Sequence, residues 1–143
     1  VTAPLNPDSL LTTEQRKAIL QTLLPFSPRL VYLFGSAARG ELRPDSDFDL
    51  AVLTQNLFPP ADRYRCSQNL GVTLNRDVDL VDLRNAPEAL RIQIIRSGIP
   101  FHITTEQERA TFEMRAFSDY ARLNEERKPV VTGIHETGKV YGR

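Results

Sequence analysis

Apolar residues along this 143-residue chain follow two rhythms, one of helical and one of strand period. Thr12 followed by Gln15 reads as a capping box, and Ile19, Leu20, Leu23 and Leu24 then recur at helical spacing up to Pro25. Arg29-Leu30-Val31-Tyr32-Leu33-Phe34 is a continuous apolar, β-favouring run that stops at Gly35-Ser36, which predicts a buried strand. Ser36 to Gly40 reads as a short helix start, broken by Pro44. Asp47-Phe48-Asp49-Leu50-Ala51-Val52-Leu53 alternates at its start and turns apolar later, as a strand does when one end meets a site and the other enters the core.

Residues 60–74 predict a helix with Ala61, Tyr64 and Leu70 facing inward. Arg76 to Leu83 alternates charged and apolar side chains and predicts a third strand. Pro87 opens a helix that turns Leu90, Ile94 and Ile95 to one face and closes at Gly98. Ile99 to Ile103 is a short strand or extended link. A long amphipathic helix follows from Thr105 to about Glu126, with Pro129 ending it and its aromatic residues serving the core.

Strands interleaved with helices predict an α/β (α+β) fold, a small sheet of three to five strands flanked by helices. The length suits one domain over residues 1–143. Its core is expected at about residues 10–126, with residues 127–143 a mobile or partner-bound tail. Residues 1–8 hold two prolines and read as an extended arm.

Composition narrows the function. Eighteen basic residues balance 18 acidic ones, so the chain lacks the global charge that drives bulk DNA or membrane-surface binding. No apolar run approaches the ~20 residues of a membrane span. The opening residues carry neither a charged n-region nor an apolar h-region, so no signal peptide and a cytoplasmic location are expected. The single cysteine, Cys66, excludes an intrachain disulfide and reads as a small buried residue. His102 and His135 lack metal-ligand spacing. There is no P-loop and no Gly-x-Ser-x-Gly elbow.

The chemistry concentrates in Gly35-Ser36-Ala37-Ala38-Arg39-Gly40 and Ser46-Asp47-Phe48-Asp49-Leu50. A Gly-Ser pair directly after a buried strand lets backbone N–H groups approach a phosphate, and a serine hydroxyl adds a donor. Gly35, Ser36, Arg39 and Ser46 are therefore the candidates for holding nucleotide phosphate. Asp47 and Asp49, two apart on a strand, project from one face. Paired carboxylates repel unless a cation compensates them, and hard oxygen donors select Mg²⁺ or Mn²⁺. A second ion needs a carboxylate on a neighbouring strand, for which Asp79 is the best candidate and Asp77 and Asp82 are rivals. Asp82 should face away from Asp79 if the strand is regular.

These motifs resemble the signature of the DNA polymerase β-like nucleotidyltransferase superfamily. Val78 to Pro87 and Phe112-Glu113-Met114-Arg115 are similar to the MntA group, the antitoxins of HepT–MntA toxin–antitoxin modules. The resemblance covers roughly residues 15–122 and implies the fold of that superfamily. It implies that Gly35 and Ser36 hold the triphosphate, and that Asp47, Asp49 and Asp79 bind two Mg²⁺ ions and form the catalytic set. ATP would be the donor and a tyrosine hydroxyl of a HepT-type RNase toxin the acceptor, giving an O-AMP adduct that silences the toxin. A small-molecule transferase of aminoglycoside type, and a binding antitoxin without catalysis, are the alternatives.

Overall fold

A computed structural model describes residues 11–36, 38 and 47–137, with side chains through residue 126. The elements run α1 (Thr13–Leu23), a 3₁₀ turn (Leu24–Phe26), β1 (Pro28–Phe34), β2 (Phe48–Thr54), α2 (Pro60–Leu74), β3 (Val78–Asp82), α3 (Glu88–Ser97), β4 (Ile99–Ile103) and α4 (Glu106–Thr137). The strands form one mixed sheet in the order β3-β2-β1-β4. β1 pairs antiparallel with β2 and with β4, while β2 and β3 are parallel. A parallel pair needs a crossover, which α2 supplies. The expected small mixed sheet between helices is the fold found.

Local chemistry sets the boundaries. Thr12 Oγ1 accepts from the Gln15 amide at 3.0 Å and Gln15 Oε1 accepts from the Thr12 amide at 2.9 Å, so the capping box starts α1. Pro25 ends it through the 3₁₀ turn, and Ser27 takes a left-handed φ of 56° to aim the chain into β1. Asn75, with φ 58°, caps α2 in the left-handed conformation that asparagine tolerates.

Two cores form because β1 and β2 are covered on both faces. Ile19, Leu23, Leu70 and Leu74 of α1 and α2 pack on Val31, Leu33, Leu50 and Val52. On the other face Ile94 of α3 and Phe112 of α4 pack on Leu30, Tyr32 and Ala51. Residues 30–33 are buried without interruption, which is why β1 reads as an unbroken apolar run. Cys66 is buried in the first core, as expected. Tyr32, in the second, donates from its hydroxyl to Glu113 Oε2 at 2.7 Å and ties α4 to the sheet.

Four expectations are corrected. In α2 only Leu70 of the named trio is buried; Ala61 and Tyr64 are exposed, because the inward stripe runs through Cys66, Leu70 and Leu74. Leu24 is exposed rather than part of the α1 stripe, because the helix has tightened into the 3₁₀ turn by that point. The last helix does not end at Pro129 but continues to Thr137. A proline removes one amide donor and bends a helix, and it ends one only when nothing favours continuation. Met114 and Phe117 on that helix are exposed, so only part of its aromatic pattern serves the core. No helix among the described residues is long and apolar enough to cross a membrane.

Candidate nucleotidyl-transfer site

The antiparallel register sets Phe34, the last residue of β1, opposite Asp49. The parallel register sets Asp49 opposite Asp79. Phe34, Asp49 and Asp79 thus lie in one row across three adjacent strands and, by strand alternation, on one face. That is the face covered further down by α3 and α4. Asp49 is half-buried and Asp79 is exposed at the sheet edge.

Gly35 follows Phe34 with φ 75°, in a turn that also contains Ser36. A Cβ built on Gly35 would overlap Asp49 Oδ2 and lie 2.9 Å from its Cγ. Backbone and carboxylate are so close that only glycine fits, for steric and conformational reasons together. The turn that begins the Gly-Ser motif is therefore pressed against the central carboxylate of the acidic motif.

Asp47 lies one residue before β2 and is exposed. The Phe48 amide donates to the Asp77 carbonyl at 2.9 Å, so the β2–β3 ladder begins at that level. Among the described residues, no three His, Cys, Asp or Glu side chains gather closely enough to hold a metal ion. The structure thus brings Asp49 and Asp79 together without drawing Asp47 into a closed trio. The two rivals to Asp79 separate cleanly. Asp77 precedes β3. Asp82 is buried on the opposite face, where it accepts from the Arg84 amide at 3.1 Å and from Asn85 Nδ2 at 2.8 Å. Asp82 is a turn-forming residue. Arg39 and Ser46 lie outside the described residues.

The donor chemistry suits a hard divalent cation: two carboxylates on neighbouring strands, with no thiol or imidazole beside them among the described residues. His102 instead sits on β4, with Nε2 3.3 Å from the Pro28 carbonyl oxygen. Sequence reasoning missed Arg63, which lines with Asp79 a cleft of about 290 Å³ along β3. It stands in the first turn of α2 with no motif around it.

Comparison with known proteins gives the chain a family. The family model described as Polymerase beta, Nucleotidyltransferase matches residues 14–107. The protein adenylyltransferase MntA of Shewanella oneidensis is 35% identical over 106 residues, covering 74% of this chain and 76% of that protein. A crystal structure of a toxin–antitoxin with AMP-PNP superposes with a TM-score of 0.76 at 32% identity, over 87% of this chain and 99% of that one. A complex of tri-AMPylated Shewanella oneidensis HEPN toxin with MNT antitoxin gives a TM-score of 0.70 at 29% identity, over 87% and 99% of the two chains. With the family model matching residues 14–107 and a 35% identical relative covering 74% of it, this chain belongs to the polymerase β-type nucleotidyltransferases.

Proposed function

We propose that this chain is a protein adenylyltransferase and antitoxin, which transfers AMP from ATP to a tyrosine hydroxyl of a HepT-type HEPN toxin in the cytoplasm. The observation that carries the reading is the approach of the Gly35 turn to Asp49, which the strand register sets opposite Asp79. The relatives named for adenylyl transfer and for complexes with AMPylated toxin supply the donor and the partner class.

In this reading the turn at Gly35 offers backbone N–H groups to the triphosphate, and Ser36 donates its hydroxyl to a phosphate oxygen. Arg39 and Ser46, on the segment that follows, are assigned the same anion. Asp49 and Asp79, joined by Asp47 two residues before Asp49, would hold Mg²⁺, with two ions as the assigned number. Bound there, Mg²⁺ would supply positive charge against the triphosphate and the charge that builds up on it. The acceptor oxygen forms a bond to the α-phosphorus while the α–β bridging P–O bond breaks. Pyrophosphate leaves with that electron pair. The Asp79 carboxylate, at the exposed strand edge, accepts the hydroxyl proton.

The test is incubation of the purified chain with a HepT-type partner, ATP and Mg²⁺, followed by intact-mass and peptide analysis. AMP on a partner tyrosine, absent with folded Asp49→Asn, supports the reading. AMP found only on an added aminocyclitol, or toxin neutralised equally by Asp49→Asn with no adduct, overturns it.

A further inference from the structure

A second feature lies on the same face of the sheet but at its opposite end. β1 runs from Arg29 to Phe34 and β2 runs back from Asp49 to Leu53, so Leu53 sits about 13 Å along the strand from Asp49. There a cleft of about 650 Å³ opens, within the range of small-molecule sites. Four arginines from four separate segments line it: Arg29 of β1, Arg84 after β3, Arg91 of α3 and Arg115 of α4. Leu53 and Phe112 give it an apolar wall.

The charge in this cleft is poorly compensated. Among the described residues Glu108 is its single acidic lining residue. Its Oε2 is already taken by Arg29, at 3.1 Å from Nε and 2.6 Å from Nη2. Arg91 has Glu88 at 3.7 Å. Arg84 donates to the Thr54 carbonyl oxygen, and neither Arg84 nor Arg115 has a carboxylate partner among the described residues. Guanidinium groups arriving from several directions suit an anion with oxygens on several sides, as phosphate has and a planar carboxylate lacks. The apolar wall suits a nucleobase.

We infer that this arginine cleft is a second nucleotide-binding site, separate from the carboxylate row. It takes the phosphates of a nucleotide on Arg84 and Arg115 and the base against Leu53 and Phe112. The inference does not depend on the reading of the catalytic site, because no residue is shared.

Calorimetric titration of the full chain with ATP in EDTA tests it, since removing divalent cations disfavours the carboxylate end. Metal-free ATP is expected to bind, inorganic pyrophosphate to compete, and the paired substitution Arg84→Gln/Arg115→Gln to weaken binding at least about a hundredfold. Asp49→Asn/Asp79→Asn should leave this binding intact. Absence of metal-free ATP binding would overturn the inference, as would binding indifferent to the arginine substitutions. So would loss of binding in the folded Asp49→Asn/Asp79→Asn protein. An acidic peptide or an RNA oligonucleotide that bound more tightly than ATP with the same arginine dependence would overturn the nucleotide assignment.

Discussion

Asp49 and Asp79 stand directly opposite one another across the parallel β2–β3 pair, the carboxylates of neighbouring strands at one level of the sheet. Like charges placed so are unfavourable in isolation and become useful when a cation lies between them. In the proposed site, replacing either by Asn removes a hard ligand with little change of shape. Each substitution is expected to lower nucleotidyl transfer at least about a hundredfold, roughly 2.7 kcal/mol of barrier, with the fold retained. Steady-state transfer assays beside thermal melts check this.

Gly35→Ala attacks the same site from the phosphate side. The new methyl group would overlap the Asp49 carboxylate, and the left-handed φ of 75° adds strain of about 1–2 kcal/mol. The expected result is a folded protein with Tm lower by several degrees and nucleotide affinity strongly reduced. A calorimetric comparison of ATP binding in Mg²⁺ measures it.

Tyr32 links the sheet to α4 and has a pH signature. Burial, and next the hydrogen bond to Glu113, raise its ionisation above the ordinary value of 10.0. A raised folded pKa means that the native state keeps its proton where the unfolded chain loses it. This contribution is constant below about pH 10 and reverses above it, where stability falls by up to about 1.4 kcal/mol per pH unit. Tyr32→Phe should cost about 1–3 kcal/mol at neutral pH, through the lost bond to a carboxylate. It should also flatten the alkaline limb of a stability-versus-pH curve from denaturant melts.

Cys66 is buried, its Sγ 3.8 Å from the Thr22 carbonyl oxygen, and burial pushes its thiol above its ordinary range. A thiol reagent at pH 8 should react with it only at the rate of opening of the α1–α2 face. The rate should rise to that of a free thiol in denaturant.

Much of this was written in the chain. The strand of unbroken apolar residues, the capping box and the alternation around Asp79 each reflect a local rule, and each element formed where that rule put it. The same-face relation of Asp47 and Asp49 was read from strand period alone, as was the turning of Asp82 away from Asp79. Pairing register was not legible: nothing in the sequence aligns Asp49 with Asp79 and Phe34, because register arises from packing between distant segments. The contact of Gly35 with Asp49 follows from that register. The arginine cleft was hidden for a related reason, since Arg29, Arg84, Arg91 and Arg115 share no motif and meet only when four segments fold together. The inward face of α2 was misread because Tyr64 and Ala61 suggest burial by residue type, whereas Cys66, Leu70 and Leu74 define the stripe that docks.

The most direct test follows the α-phosphate. With ATP radiolabelled at that position, Mg²⁺ and a HepT-type toxin, wild-type protein should place label on the toxin. Folded Asp79→Asn should leave the toxin unlabelled while still binding it. Label transferred by Asp79→Asn at the wild-type rate would contradict the assignment of the paired carboxylates to the chemistry.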